Sequence, residues 1–317
     1  MPSTSSASGT TPFGPREVLL LLTASLVWGA AYVFIRQGIL LGAAPLTFAS
    51  VRYLLSAVAF SLLAVVRREA VPTRRAVLVS ASVGGILMIG IYGGLLYWGE
   101  QYTTGGYAAL LASTAPLLTV AIGFSILSAE RLGSRGLLGM GVGFAGAVVL
   151  VYPELVGSNA VGTWEGPVFV LGAMVSTALG TVLLRRLGRG PQGLWQIASQ
   201  FTVAGVLLGS VSLALPIPKA LPLSEGVLAN LAVLVMFSSV LGYFAYFALH
   251  HRVGPVRANV VAYLAPLVGV GVGSGLYGEP LTAWEVAGVL IVLAGVTLVL
   301  WESSRASARR AAPNAPA

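Results

Sequence analysis

Two stretches of this sequence decide its fold: YAALLASTAPLL at residues 107–118 and RANVVAYLAPLV at residues 257–268. They share Ala-Pro-Leu and two earlier alanines in the same register. Three further signatures follow each stretch in the same order: Glu-x-Leu, then a glycine, then an Ala-Gly pair. After the first stretch they lie at residues 130–132, 139 and 145–146. After the second they lie at residues 279–281, 288 and 294–295. Apolar helices share alanine and leucine by chance, but not these signatures in order. The sequence therefore predicts an internal duplication.

The composition indicates that the duplicated unit lies in a membrane. Of 317 residues, 56% are hydrophobic and only 9% are charged. A soluble domain carries about 25% charged residues on its surface, and a disordered chain combines low hydrophobicity with high net charge. Both classes are excluded, and an all-α polytopic membrane protein remains. Forty glycines fit this class, because small residues let transmembrane helices approach closely.

Ten stretches are long and apolar enough to cross a bilayer, which takes about 20 residues per helix. They are residues 17–35, 45–66, 76–98, 104–127, 134–152, 166–184, 192–215, 227–249, 255–277 and 282–301. Each half then holds five spans. Because five is odd, the second half enters the membrane from the opposite side, and the duplication is an inverted repeat. Such repeats suit alternating access around a site near the middle of the bilayer.

The distribution of basic residues predicts the orientation. We place both termini on one side of the membrane, together with every loop that leads from an even-numbered span to an odd-numbered one. That side then holds 15 arginines, whereas the other side holds only Arg36 and Lys219. The fifteen are Arg16, Arg67, Arg68, Arg74, Arg75, Arg131, Arg135, Arg185, Arg186, Arg189, Arg252, Arg257, Arg305, Arg309 and Arg310. Positive loops mark the cytoplasmic side. We therefore expect both termini in the cytoplasm, and no nucleic-acid partner despite the net charge of +8.

The predicted organisation has two repeats between two tails. Residues 1–15 form a disordered cytoplasmic tail, residues 16–152 the first repeat and residues 153–164 an external linker. The second repeat covers residues 165–302, and residues 303–317 form a basic, disordered cytoplasmic tail.

The stretch from Tyr97 to Leu132, followed by Gly139 to Gly146, resembles the EamA-type family of bacterial drug/metabolite transporters. The stretch from Gly254 to Gly295 and the Trp28-Gly29 pair fit the same pattern. The resemblance spans nearly the whole chain between the tails. It implies ten helices in two inverted halves, location in the bacterial inner membrane, and a central cavity lined by spans 1, 3, 4, 6, 8 and 9. It also implies export of amino acids or other small metabolites.

Aromatic and hydroxyl side chains within the spans are the candidate substrate-binding residues. A phenol or indole deep in lipid leaves a polar atom unpaired, so it favours protein or a water-filled cavity. The candidates are Trp28, Tyr32, Tyr92, Thr177, Ser239, Tyr243, Asn259 and Tyr263. Tight packing between helices explains the same pattern equally well. Rings and hydroxyls suit amino acids and amine or aromatic compounds through stacking and cation–π contacts.

Pro116 and Pro266 lie at equivalent positions, mid-helix, and are the candidate hinges, because proline removes a backbone hydrogen bond and kinks a helix. A static bend is the alternative.

Arg52 lies inside the second span, where its long stem allows the charge to reach outward. The side chain either binds a carboxylate or locks the second span to a carbonyl of a neighbouring helix. We favour the locking role.

The acidic residues suggest structural roles. Glu130 and Glu279 are expected to cap and position helices, and Thr282-x-x-Glu285 is a capping box. Glu100, at the outer end of the third span, is a candidate to attract cations. Since no acidic residue lies at mid-span, a buried carboxylate relay for protons is not visible in the sequence.

The sequence thus favours a secondary transporter, and an exporter, of small organic metabolites. No cofactor or metal is expected: the chain has no cysteine and no aspartate, its two histidines are adjacent, and it lacks an ATP-binding loop. An enzyme is disfavoured for the same reason. The alternative is a structural or sensory membrane protein without transport. The glycine rows at 139/143, 269/273 and 271/275 mark close helix contacts, within one chain or between the chains of a homodimer.

Overall fold

Proline begins both helices of the first hairpin: Pro15 starts one and Pro45 the other, where the missing N–H costs no hydrogen bond. A computed structural model describes residues 14–72, 75, 78–79, 81–127, 134–155, 163–187, 193–258 and 260–311. Every regular element within these ranges is a helix.

We number eleven helices along the described chain. They are α1 Pro15–Leu40, α2 Pro45–Val66, α3 (Ala81–Ile91 continued by Tyr92–Gly99), α4 Gly105–Ala112, α5 Ala115–Leu127, α6 Ser134–Leu155, α7 Glu165–Arg186, α8 Leu194–Ala214, α9 (Glu225–Val233, Leu234–Leu241 and Gly242–Ala258), α10 Val261–Tyr277 and α11 Ala283–Ala311.

The apolar character of these helices makes the chain a multi-pass membrane protein. Seven candidate spans in the described residues are long and apolar enough to cross a bilayer. Three shorter apolar helices accompany them: Ser134–Leu150, Val261–Tyr277 and Ala283–Leu298. The count of ten spans and the orientation of the termini stay predictions.

The predicted fourth span is not one helix. It divides into α4 and α5 at Ser113 and Thr114, whose hydroxyls bond the carbonyls of Leu110 and Leu111 at 2.6 and 2.7 Å. Pro116 is the second residue of α5, so the expected mid-helix position was wrong. At a helix start the proline disturbs no bond. Pro266 does lie inside its helix, α10, and is buried.

The boundary between the predicted eighth and ninth spans also differs. α9 continues to Ala258, and α10 begins at Val261 rather than at residue 255. The polar stretch HHRVGPVR at 250–257, which suggested a loop, lies within the last turns of α9, so polarity alone does not mark the break. At the C-terminal end, α11 continues to Ala311, past the predicted start of the tail at residue 303. Alanine and arginine in this segment favour a helix.

Spans three and eight share a feature that no sequence pattern predicted. α3 contains a π-helical segment at Ala81–Ile91, and α9 contains one at Leu234–Leu241. In each segment, one backbone carbonyl accepts a hydrogen bond from a side chain of another span. Ser176 Oγ of α7 donates to Leu87 O at 2.8 Å, and Trp28 Nε1 of α1 donates to Ser238 O at 3.0 Å. π-Helical turns are rare and frequent at functional sites.

The contacts between helices are symmetric: a contact between two helices recurs between the equivalent helices of the other half. α2 packs on α8, and α6 on α11, which are pairs of equivalent spans. α1 packs on α10, and the equivalent helices α7 and α5 also pack on each other. In the same way, α3 packs on α7, and the equivalent helices α9 and α1 pack on each other. This is the arrangement that a duplicated five-span unit produces.

Carboxylates from loops cap helices across the structure. Glu279, between α10 and α11, accepts the N–H groups of Gly105 and Gly106 at 3.0 and 2.7 Å, at the start of α4. Glu69, after α2, accepts the N–H of Leu194 at 2.9 Å, at the start of α8. The first four N–H groups of a helix have no partner inside it. The capping role expected of Glu279 is confirmed, and Glu130 lies outside the described residues.

The capping box predicted at residues 282–285 is also formed. The backbone N–H of Thr282 donates to the Glu285 carboxylate, and the N–H of Glu285 donates to Thr282 Oγ1 at 3.3 Å.

Close helix contact at Gly269 joins α10 to α1 and α4. A methyl group there would overlap Ala109 Cβ and lie 3.1 Å from the carbonyl oxygen of Gly29. Gly271, two residues along the same helix, has nothing within 4 Å of such a methyl group. The glycine row at 269/273 therefore serves contacts within one chain.

We expect Gly269→Ala to destabilise the protein by about 1–3 kcal/mol, because a methyl group is forced between close-packed backbones. The midpoint of thermal unfolding in detergent measures the effect. Gly271→Ala is the matched control and should leave the midpoint unchanged. Equal midpoints for the two variants would contradict the close approach of α1, α4 and α10.

Candidate functional site

Tyr243 lies at the centre of a group of aromatic rings. Its ring centroid is 5.5 Å from that of Phe201 and 5.9 Å from that of Phe60. Trp28 approaches it edge-on at 5.8 Å. The four rings come from α9, α8, α2 and α1. The structure thus brings together two predicted residues, Trp28 and Tyr243. Sequence reasoning missed Phe60 and Phe201, because a phenylalanine in an apolar span carries no signal of its own.

The rings continue from this group towards α3. Phe201 lies 5.7 Å from Tyr53, Tyr53 lies 6.3 Å from Tyr97, and Tyr97 lies 5.7 Å from Phe48. We call this connected set the aromatic column; it consists of Trp28, Phe48, Tyr53, Phe60, Tyr97, Phe201 and Tyr243. α2 and α8, the second and seventh spans, provide four of its seven rings, although the family resemblance does not place these spans around a cavity.

Tyr32 and Tyr92 are two further predicted residues that the structure brings together. Their hydroxyl oxygens lie 3.4 Å apart, across α1 and α3, and both side chains are partly buried. Both lie within electrostatic range of the Arg52 guanidinium. The pair therefore lies near the Tyr53–Tyr97 end of the aromatic column.

Arg52 bridges three helices. From α2 it donates to the Tyr97 hydroxyl and to Ser238 Oγ, each at 2.8 Å, and its guanidinium carbon lies 5.5 Å from the centre of the Tyr53 ring. The side chain is 8% exposed, so it does not reach outward, and its locking role is the one observed. Its Nε meets no hydrogen-bond partner among the described residues. A charge buried in a membrane is costly and marks a functional region by default.

The hydroxyl candidates take different positions. Ser239 is buried, and its Oγ lies 2.9 Å from Ser56 Oγ, so it joins α9 to α2. Thr177 is partly buried on α7, one residue after Ser176, which bonds the π-helical segment of α3. Ser239 thus has a packing partner, and Thr177 lies beside a helix contact.

Tyr263 has a buried hydroxyl with no hydrogen-bond partner among the described residues. It lies on α10, three residues before Pro266. A buried phenol without a partner is costly unless a ligand or water satisfies it. Asn259, the other candidate in this region, lies outside the described residues.

Two apolar grooves occur between the helices. One, of about 370 Å³, is lined by α2 and α9; the other, of about 310 Å³, is lined by α1, α9 and α10. None of the seven predicted binding residues that the structure describes lines either groove. In this conformation Trp28 and Tyr243 pack on each other, as do Tyr32 and Tyr92. A substrate that binds there must separate these helices.

Comparison with known proteins identifies the same architecture. The model of the EamA-like transporter family matches the chain twice, at residues 15–152 and 164–301. A solved protein structure with 18% sequence identity shares the fold with a TM-score of 0.60, covering 89% of this chain and 96% of that one.

Several curated relatives carry transporter names. The uncharacterized inner membrane transporter YedA of Escherichia coli K12 is 31% identical, over 86% of this chain and 87% of its own. The uncharacterized transporter YvbV of Bacillus subtilis is 27% identical, over 94% of each chain. A probable amino-acid metabolite efflux pump of Salmonella typhimurium is 27% identical, over 89% of this chain and 93% of its own.

We expect Tyr97→Phe to destabilise the protein by about 1.5–3 kcal/mol, because it removes an acceptor from the buried, charged Arg52. The midpoint of thermal unfolding in detergent measures this. Tyr152→Phe, at a side chain that is 46% exposed, is the matched control. A loss of stability no larger than that of the control would show that the Arg52–Tyr97 bond contributes nothing.

Proposed function

Because the chain belongs to the EamA-like transporter family, we propose that it is a secondary transporter that exports small organic metabolites. The proposed substrates are amino acids or amine and aromatic compounds. Transport proceeds by alternating access between two inverted five-span repeats in the bacterial inner membrane, with both termini in the cytoplasm.

The observation that carries this proposal is the paired packing of equivalent spans. α2 contacts α8, and α6 contacts α11. In each pair, one helix is the equivalent of the other in the opposite half. A structure built this way has a second arrangement of nearly equal energy, in which the two halves swap conformations. The family model, which matches each half separately, supports the same duplication.

The side chains of the site support the substrate class. Trp28 and Tyr243 offer faces for stacking, and Tyr32, Tyr92 and Tyr263 offer hydroxyls. Aromatic rings bind organic cations and other rings, and a few placed hydroxyls orient them. The relative named as a probable amino-acid metabolite efflux pump points to the same compounds.

The hinge proposal places the moving point at the break between α4 and α5, beside Pro116, and at Pro266 in α10. At the break, Ser113 N and Thr114 N donate to Leu110 O and Leu111 O, three residues back rather than four, so the regular α-helical pattern is interrupted there. Pro266 removes one bond inside α10.

Bacteria that express the chain should enrich their medium in one class of metabolite, as measured by mass spectrometry. The double variant Tyr92→Ala, Tyr243→Ala should lose most of this enrichment, because it removes one ring from each observed pair. Tyr152→Ala, Tyr277→Ala is the matched control: both rings are more than 40% exposed, and export should persist. If wild type and the first variant, both present in the membrane, give the same medium, the proposed site is wrong.

The absence of native cysteine permits a direct test of movement. Single cysteines at Ala112 and Leu118, which flank Pro116 and are partly buried, should change their maleimide labelling when the exported compound is added. A cysteine at the exposed Leu138 should not change. Unchanged labelling at both flanking positions would rule out a hinge here.

A further inference from the structure

Glu100 is buried completely in the turn that follows α3. Its exposed fraction is 0%, and neither carboxylate oxygen has a hydrogen-bond partner among the described residues. The nearby Arg36 reaches this turn from α1, but its Nη1 donates to the backbone carbonyls of Glu100 and Gln101, at 2.6 and 3.0 Å. The expectation that Glu100 attracts cations from the surface is therefore wrong, because its carboxylate does not reach the surface.

Charged and titratable groups surround Glu100 from several elements. Those within electrostatic range are Arg36 and Tyr32 on α1, Arg52 and Tyr53 on α2, Tyr97 on α3 and Glu279 in the loop after α10. The chain just before α7 also contacts this turn, since Thr163 N donates to Tyr102 O at 3.0 Å; Gly166 of α7 lies against Tyr102 and Thr103, and Glu165 stands in the first turn of α7. The Thr103 hydroxyl beside them is buried and meets no partner among the described residues.

Burial decides the charge of this carboxyl. An ionised carboxylate without hydrogen bonds is so costly in a nonpolar interior that it takes up a proton instead. Burial raises the pKa of Glu100 well above its ordinary value and Glu279 adds to the rise, while the charges of Arg36 and Arg52 and the backbone of Arg36 oppose it. Burial therefore favours the protonated form of this carboxyl in this conformation.

The site has the properties of a proton site rather than a metal site. A metal ion needs several oxygen ligands at once. The second carboxylate within electrostatic range, that of Glu279, is already bonded to Gly105 and Gly106. The backbone carbonyls of Glu100 and Gln101 already accept from the positive Arg36. A proton needs neither space nor further ligands.

We propose that Glu100 is the proton-binding site that couples this transporter to the proton gradient. The proposal rests on the proposed function. In the conformation described here the carboxyl is closed off and holds one proton. When the turn at residues 100–104 opens to water on one side, the carboxylate exchanges that proton with water. A cycle that takes the proton up outside and releases it inside drives substrate outward.

Infrared difference spectroscopy of the reconstituted full chain, titrated between about pH 5 and about pH 9, tests the proton itself. Wild type should show the C=O band of a protonated carboxyl that persists at neutral pH and disappears on alkalinisation. Glu100→Gln should lose this band. The matched control is Glu225→Gln, an exposed acid in the first turn of α9, which should keep it. A band unchanged in Glu100→Gln would overturn the proposal.

Export measured at different external pH tests the coupling. Wild-type export of the metabolites found in the medium should rise as the external pH falls, and a protonophore should abolish this rise. Glu100→Gln should export without dependence on pH. Glu100→Asp, which keeps a titratable group, should retain the dependence and serves if the glutamine variant fails to reach the membrane.

The outcomes separate this proposal from the proposed function. Export that is equally pH-dependent in wild type and Glu100→Gln would overturn the role of Glu100 and leave the transporter standing. No export by wild type would count against the proposed function, and the coupling role would fall with it. The infrared band would then still decide whether Glu100 holds a proton.

Discussion

Lipid offers no hydrogen bonds, and the structure depends on how the protein satisfies its polar groups without them. Helix starts are the hardest places, since their first N–H groups have no partner within the helix. Glu279 and Glu69 serve two of them, at α4 and α8, and each carboxylate comes from a loop that is distant in sequence. Because a cap of this kind joins separate elements, the need for hydrogen bonds also fixes how the helices assemble.

The two π-helical segments extend this logic from helix starts to the interior of spans. A π-helical turn displaces backbone carbonyls from their usual partners, and here a side chain of another span meets one carbonyl in each segment: Ser176 meets Leu87, and Trp28 meets Ser238. Span six thus supports span three, and span one supports span eight, as equivalent pairs. Such carbonyls are bonded by side chains that a bound substrate or a helix movement can displace, which is a reason to find them in a transporter.

Much of this fold was readable from the sequence, and the reasons are physical. Charge depletion and long apolar stretches indicate a membrane protein, and the paired Ala-Pro-Leu and Glu-x-Leu signatures indicate duplication. The break at Ser113 and the π-helical segments were not readable, because hydropathy measures apolarity and not backbone geometry. Phe60 and Phe201 were missed because a phenylalanine in an apolar span carries no signal of its own. Trp28, Tyr32, Tyr92 and Tyr243 were found from the polar atoms on their rings, but their pairing was not. The burial of Glu100 depends on the packing of Arg36 and α7 around one turn, which no local pattern encodes.

Arg52 and Glu100 place one positive and one negative group within electrostatic range inside the same bundle, without a direct bond between them. While Glu100 is protonated, the acceptors that Arg52 bonds in the described part of the chain are both neutral: Tyr97 on α3 and Ser238 on α9. Loss of the proton would give Arg52 a negative neighbour and weaken its preference for those two hydroxyls, since a charged acceptor bonds more strongly than a neutral one. Ser238 lies in the π-helical segment that Trp28 also holds. Within the proposed coupling, the protonation of Glu100 therefore changes how strongly Arg52 bridges the equivalent spans three and eight, beside the aromatic column.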